Sequence, residues 1–370
     1  MTRPLSVLHV HSGNLFGGIE RVLAALHRCE GADDVQHRFA LAFDGRLRRD
    51  LGGAVAGVLG GVRRRYPWSV HFARRRLRAM VDTARPDLAM LHAPWAQDVF
   101  GPALADAGLP IVRWFHGAPA PDDAWERRAQ ATRPARVVCN SDFTRAAAAP
   151  FIAGIATDVL YPPVEQPLGL GTEARARLRA VHDVSPEAVV VLHVARVEPG
   201  KGQRELIEAA ARLDRALPWQ VWLLGAPQRS EERAYFTSLE QAVARHQLGD
   251  RVRLLGEHPE VGGFLAAADL YCQPNVAPDA FGVSFVEALY AALPVVTTAL
   301  GGAVEIVSEA CGILVPAGDG PALVDALTQL IRDDRRRSLL GLEGPACAAR
   351  LCDPRRQHGR LATILREAAR

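Results

Sequence analysis

At 370 residues the chain is longer than one hydrophobic core usually organises, so two domains are expected. A formal charge of +3, from 44 basic against 41 acidic residues, argues against nucleic acid as a partner, and 49% hydrophobic with 23% charged residues argues against long disordered tails. The six cysteines, Cys29, Cys139, Cys272, Cys311, Cys347 and Cys352, form no C-x-x-C pair and no zinc-finger spacing, which reads as reduced thiols in a cytoplasmic protein.

The chain opens on Leu5-Ser-Val-Leu-His-Val-His11, too short and too interrupted by histidine for a signal segment, and so a first buried strand. Further short apolar runs predict strands at 36–42, 87–91, 110–115, 136–140 and 157–161, with helical stretches between them. Residues 161–171, Tyr-Pro-Pro-Val-Glu-Gln-Pro-Leu-Gly-Leu-Gly, are rich in Pro and Gly and carry no periodicity, so they predict a linker with the boundary near residue 166. A second series of strands is expected at 188–194, 219–225, 251–255, 269–273, 294–298 and 312–315. The alternation in each half predicts an open parallel sheet covered by helices. The last helix, after Asp353-Pro354, places Leu361, Ile364 and Leu365 at helical spacing and is expected to pack back on the first domain. Domains 1–165 and 166–353 follow. No stretch approaches the roughly 18 uninterrupted apolar residues of a membrane span.

Ligands in open α/β sheets lie beyond the carboxyl ends of the strands, where helix N-termini present N–H groups and partial positive charge. One such end reads Val194-Ala-Arg-Val-Glu-Pro-Gly-Lys201-Gly-Gln, placing Arg196 and Lys201 on a Gly/Pro loop before a helix, where two cations can grip a diphosphate. A second reads Gln273-Pro-Asn-Val-Ala-Pro-Asp279-Ala-Phe-Gly282-Val-Ser-Phe-Val-Glu287, with a helix starting near Gly282, Asp279 in the loop before it and Glu287 on its second turn. Gly17-Gly18 after the first strand is a glycine turn that lacks the full dinucleotide spacing. His92 and His116 each follow an apolar strand and read either as core-edge or as site histidines.

The segment Asp279-Ala-Phe-Gly-Val-Ser-Phe-Val-Glu287 resembles the Glu-Pro-Phe-Gly and second-Glu signature of the retaining GT-B glycosyltransferases of family 4. The likeness extends in order to Gly17-Gly-Ile-Glu20, Arg196 with Lys201-Gly202, Leu223-Leu-Gly-Ala226, Leu254-Leu-Gly256 and Gly301-Gly-Ala-Val-Glu305. It implies two Rossmann-like domains facing each other across a cleft, an acceptor-binding first domain and a nucleotide-sugar-binding second one. It implies that Arg196 and Lys201 hold the donor diphosphate, Glu287 the ribose and Asp279 the transferred sugar, with backbone N–H groups from Phe281, Gly282 and Val283. Backbone around Glu257 and His258 would meet the base, Gly17 and Gly18 would cover the phosphates, and His116 would reach the donor sugar.

The implied reaction moves a hexose from a UDP-sugar, with a GDP-sugar as second choice, to a hydroxyl with retention by front-face attack, the departing phosphate helping to deprotonate the acceptor. Negative charge growing on the leaving diphosphate is what cations and helix N-termini stabilise, so neither metal nor cofactor is expected. No Asp-x-Asp looks placed to hold a divalent ion, and the histidines are too dispersed along the chain to suggest zinc. Asp279 departs from the family's Glu, shortening the reach by about 1.5 Å; Ala280 and Ala292 replace a Pro and a Gly.

Other readings share this pattern: a hydrolase, epimerase-like enzyme or phosphorylase of the same architecture, and a non-catalytic nucleotide-sugar binder. The basic run from Arg63 to Met80, with Tyr66, Trp68 and Phe72 interleaved, reads as a solvated helix face, as a dock for anionic membrane, or as a grip on a phosphorylated acceptor. Acceptor identity and oligomeric state have no signature in the sequence.

Overall fold

The computed structural model describes residues 3–14, 17–29, 33–63, 65–167 and 171–370. Arg64 of the basic run and residues 168–170 of the linker lie outside them. The chain divides into two compact units, residues 1–165 with 352–370, and residues 166–351.

The first unit runs β1 (Leu5–His11), α1 (Gly18–Arg28), β2 (Val35–Leu41), α2 (Arg46–Leu51), β3 (Val55–Val58), α3 (Pro67–Ala84), β4 (Leu88–Leu91), α4 (Pro94–Ala105), β5 (Ile111–Phe115), α5 (Ala124–Ala129), β6 (Arg136–Cys139), α6 (Asp142–Ala148) and β7 (Thr157–Val159). Its seven strands are parallel in the order β3-β2-β1-β4-β5-β6-β7. The strand β3 was not expected from the sequence. Its Val-Ala-Gly-Val follows two glycines, and as an edge strand it buries no residue fully, so it lacks the apolar run that marks its neighbours. Two apolar layers cover the sheet. One joins Val7, Phe39, Met90 and Trp114 to Leu23 and Leu26 of α1; the other joins Leu8, Val10 and Leu91 to Leu77 of α3 and Phe100 of α4.

The second unit runs α7 (Thr172–Val181), β8 (Val189–Val194), α8 (Gln203–Ala210), β9 (Trp219–Leu224), α9 (Ser230–Arg245), β10 (Val252–Gly256), α10 (Val261–Ala267), β11 (Leu270–Gln273), α11 (Val283–Tyr290), β12 (Val295–Thr298), α12 (Ala303–Ile306), β13 (Gly312–Val315), α13 (Gly320–Arg332) and α14 (Asp334–Cys352). Six parallel strands are ordered β10-β9-β8-β11-β12-β13. Helix starts carry their own signals: Asp319 caps α13 by accepting from the Ala322 N–H, with Pro321 in the first turn.

The final helix, α15 (Pro354–Ala368), starts at Asp353, whose carboxylate accepts from the Arg356 N–H. It seats Leu361, Ala362, Ile364 and Leu365 in the core of the first unit, and Arg360 donates to the Val159 carbonyl at 2.9 Å.

In each sheet the strand order reverses at the first strand of the unit, between β1 and β4 and between β8 and β11. There the loops diverge to opposite faces and leave a crevice at the carboxyl ends, the place where an open α/β sheet binds ligands.

Candidate active site

The switch point of the second unit gathers the motifs singled out from the sequence. Beyond β8, the loop carries Arg196, Glu198 and Lys201; beyond β11, the loop carries Asp279. Lys201 Nζ lies 2.7 Å from Asp279 Oδ2 and 4.0 Å from Glu198 Oε1. Arg196 donates to Glu198 Oε2 at 3.0 Å and lies 3.8 Å from Glu232 Oε1. Glu232, in the first turn of α9, is buried and held by the backbone N–H groups of Gln228 and Arg229, which donate to its other oxygen. Two cations and three carboxylates thus meet over the ends of β8, β9 and β11, charge against charge, with Lys201 and Asp279 each about one-fifth exposed.

Backbone geometry fixes these groups. Gly282 caps α11 with φ of +102°, and a Cβ there would lie 2.3 Å from the Phe285 ring. Gly301 has φ of +61°, and a Cβ there would lie 2.2 Å from the Asp279 carbonyl oxygen; the next N–H, of Gly302, donates to that oxygen at 2.8 Å. The Asp279–Gly282 loop is therefore clamped between β11 and the turn after β12. Phe281 is buried, which anchors the loop while the first turn of α11 stays open at Val283. Glu287 is half-buried on the second turn of α11. Glu257 is exposed just past β10, and the His258 ring lies tilted against Phe264, centroids 4.6 Å apart, with its Nε2 3.0 Å from the Leu255 carbonyl.

Sequence reasoning missed the supports behind this cluster. Buried His193 places Nε2 2.9 Å from the Lys201 carbonyl, and burial pushes its pKa down to about 4, so it is a neutral prop. Gln203 donates to the Arg196 carbonyl at 2.7 Å. A histidine inside the apolar run Val189–Val194 was the available signal. Glu198 and Glu232 carry no signal as single acidic residues.

In the first unit, Gly17 and Gly18 lie at the start of α1, beyond the carboxyl end of β1. The Gly17 N–H donates to Glu20 Oε2 at 2.8 Å, while Glu20 Oε1 lies 2.7 Å from His11 Nε2. Burial pushes the Glu20 carboxyl up, but the hydrogen bond and charge of His11 with the backbone N–H groups outweigh it, and its pKa falls. His116 follows β5, stacks on Trp114 at 4.8 Å, and sets Nε2 2.9 Å from Nδ1 of His92. Burial, then the charges of His11 and Arg113, hold His116 well below the usual histidine range. Trp114 and Arg113 are themselves buried, the latter paired with Glu126 at 3.0 Å.

The histidines that are dispersed along the chain converge in space. His9, His37, His92, His116 and His358, far apart along the chain, form a continuous row. Both ring nitrogens of His9, His37 and His92 face another imidazole, and His358 Nδ1 faces Asp33 Oδ2; among the described residues no group of three His, Cys, Asp or Glu is arranged to hold a metal ion.

Comparison with known proteins matches the two halves in order. Residues 16–165 match the model for Glycosyltransferase Family 4, and residues 174–344 that for Glycosyl transferases group 1. The chain belongs to the GT-B glycosyltransferases. A D-inositol 3-phosphate glycosyltransferase of Kineococcus radiotolerans is 28% identical over 84% of this chain and 76% of its own length. A phosphatidyl-myo-inositol mannosyltransferase of Mycobacterium leprae is 32% identical over 46% of this chain, a match that spans 45% of that protein. Among solved structures, Anabaena HepE in complex with UDP-glucose superposes with a TM-score of 0.86, covering 98% of this chain and all of that one at 24% identity. That likeness places the fold: two Rossmann-like halves with sheets of seven and six strands. Among the described residues no helix is long and apolar enough to cross a membrane.

Proposed function

We propose that this GT-B protein transfers a hexose from a nucleotide diphosphate sugar to an acceptor hydroxyl with retention, holding the donor at the switch point of its second unit. The observation that carries this reading is the cation pair Arg196 and Lys201, set at the end of β8 with carboxylate partners that a diphosphate can replace. In this reading the diphosphate takes over Lys201 and Arg196, and Asp279 turns to a sugar hydroxyl. The N–H groups of Phe281, Gly282 and Val283 at the start of α11 then face donor oxygens, where the partial positive charge of the helix adds to the two cations. Glu287 binds the ribose hydroxyls, and the backbone at Glu257 and His258 borders the base. Gly17, Gly18 and His116 stand at the carboxyl ends of β1 and β5 in the first unit, and no metal is needed to neutralise the leaving group.

UDP-sugars are the favoured donors. A GDP-sugar is the second reading, supported by a relative named as a GDP-mannose-dependent mannosyltransferase, 29% identical over 41% of this chain. Relatives named for phosphatidylinositol substrates favour an acceptor at a membrane surface, met from the cytoplasmic side. Helix α3 supports such contact: Trp68, Phe72 and Arg75 share its exposed face, while Ala73, Leu77 and Val81 are buried.

The test is binding and hydrolysis of a panel of UDP- and GDP-sugars, with and without chelator, for the wild type, Lys201→Ala and Glu287→Ala. Chelator-resistant binding and slow hydrolysis of one donor, lost in both variants, supports the reading. No binding of any nucleotide sugar rejects it.

A further inference from the structure

The histidine row lies wholly within the first unit and ties its sheet to helix α15. In the parallel register Val7 pairs with His37, and His9 pairs with Phe39 on one side and Met90 on the other. Leu91 pairs with Arg113, so by continuation His92 stands opposite Trp114 and His116 lies two residues beyond. Each histidine is therefore two residues further along than its neighbour on the adjacent strand, and even steps keep all four on one face of the sheet. With strands about 4.8 Å apart and two residues rising about 6.6 Å, that diagonal is about 8 Å between Cα atoms, a span two imidazoles fill.

The contacts run without a break. His116 Nε2 lies 2.9 Å from His92 Nδ1, His92 Nε2 is 2.8 Å from His9 Nδ1, and His9 Nε2 is 2.8 Å from His37 Nδ1. His37 Nε2 then lies 3.0 Å from Nε2 of His358 on α15, and His358 Nδ1 lies 2.8 Å from Asp33 Oδ2. His9, His37, His92 and His358 are at most 2% exposed, whereas Asp33 is one-third exposed and His116 is half-buried, so both ends reach the surface.

Each contact is a place for one proton. A neutral imidazole carries one N–H, so the five rings bring one proton to each of the five contacts, the last of them made to a carboxylate that only accepts. Nδ1 of His116, at the outer end, offers one further place. The row therefore takes up a single added proton with every contact intact, the charge resting on His358 against Asp33. A second added proton sets two N–H groups face to face, and buried rings have no water to turn to.

The row yields where its mounting is weakest. His9, His37, His92 and His116 stand on β1 and β2 or at the ends of β4 and β5, held by the backbone ladder. His358 is mounted on a helix docked by side chains: Leu361, Ala362, Ile364 and Leu365 in the core, Glu367 2.8 Å from Arg136, and Arg360 on the Val159 carbonyl. The joint between His37 and His358 can open without breaking the sheet. We propose that α15 is an acid-released strap of the first unit: as protons beyond the first enter the row, the joint parts and the helix leaves the sheet. The strap is independent of what the second unit binds.

Burial fixes the direction. In the docked state burial, then the charges of His358 and His27, lower His37 to about 3, and burial with the neighbouring imidazoles keeps His9 and His92 well below the usual range. With α15 away His37 regains water and its ordinary value of about 6.5. Docking is therefore complete above about pH 6.5 and weakens as pH falls toward the docked value. For the His37 proton alone, the opening constant rises about eightfold between pH 7 and pH 5.5, and about 25-fold by pH 5. The other charged groups around the joint are His27 of α1, Arg366, which donates to the Asp33 carbonyl, and Arg136 with Asp158 and Glu367. Arg28 and Glu165 lie with Asp353 and Arg355 around Cys29, where α15 starts beside α1. His11 with Glu20 and Arg113 with Glu126 face the outer end.

The test is amide hydrogen exchange of the full-length protein, corrected for the chemical rate, comparing Leu361–Leu365 with β4 from pH 7 to pH 5. Protection of α15 should fall about eightfold by pH 5.5 and about 25-fold by pH 5, while β4 remains protected. Asp33→Asn removes the charge that holds the first added proton and should move the loss to higher pH. The double variant His37→Leu with His358→Leu replaces the joint by an apolar contact and should flatten the dependence; if it does not fold, the wild type and Asp33→Asn decide. Protection of α15 that stays level, or that is lost only together with β4, overturns the proposal, as does an Asp33→Asn protein that opens at no higher pH than the wild type.

Discussion

Replacing Lys201 by alanine removes a cation whose setting is fully specified. Its Nζ sits 2.7 Å from Asp279 and 4.0 Å from Glu198, about one-fifth exposed, so a diphosphate oxygen that displaces the carboxylate meets an only partly hydrated ammonium. At about 4 Å and an effective dielectric near 20, one charge pair is worth roughly 4 kcal/mol before desolvation. Loss of one preorganised group that stabilises developing charge costs about 3–4 kcal/mol in the barrier. We expect kcat/KM for the preferred donor to fall about 10²- to 10³-fold, divided between weaker donor binding and slower transfer. Folding stability should change by less than about 1 kcal/mol, because partly exposed pairs contribute little and the neighbouring carboxylates retain access to water. The assay is steady-state release of nucleoside diphosphate, with thermal unfolding of the same preparation as control. A kcat/KM within threefold or so of wild type, in a protein that melts normally, would refute the assignment of Lys201 to the diphosphate.

Gly301→Ala should weaken donor binding without touching a charged group: its left-handed backbone disfavours alanine by about 1–2 kcal/mol, and the Asp279 carbonyl must also give way; isothermal titration with the preferred donor would show unchanged affinity if the loop were not clamped. Stability should fall below neutral pH. His37 and His193, lowered from 6.5 to about 3 and about 4, stay neutral in the fold while the unfolded chain takes up protons below pH 6.5, so each costs about 1.4 kcal/mol per pH unit until its folded value is reached. Glu20, also lowered, adds its loss in the same direction below the ordinary carboxylate range; denaturant midpoints that stay level from pH 7 to pH 5 would contradict this. The double variant Trp68→Ser with Phe72→Ser should reduce sedimentation with vesicles containing anionic phospholipid and leave donor hydrolysis in solution unchanged; equal sedimentation of both proteins would make this face solvated surface.

Fold class was legible in the sequence because buried parallel strands are short apolar runs, and runs such as Val189–Val194 and Val295–Thr298 alternate with helices of clear period. The loops that carry Arg196, Lys201 and Asp279 were legible for the same reason: each follows a strand and precedes a helix, so their placement at strand ends is local chemistry. Edge strand β3 was not legible, since half-exposed residues beside glycines leave no hydrophobic signal.

Tertiary structure alone decided which distant residues meet. Lys201 and Asp279, 78 positions apart, form an ion pair because β8 and β11 are neighbours, and neighbouring strands are chosen by topology. The histidine row depends on more: a strand order of β2-β1-β4-β5, a register offset of two at each step, and a terminal helix that returns across 321 residues to bring His358 to His37. A shift of one residue in any of those registers would turn a ring to the opposite face. Strand register is set by packing of whole apolar layers, a non-local balance that residue spacing along a single chain does not encode.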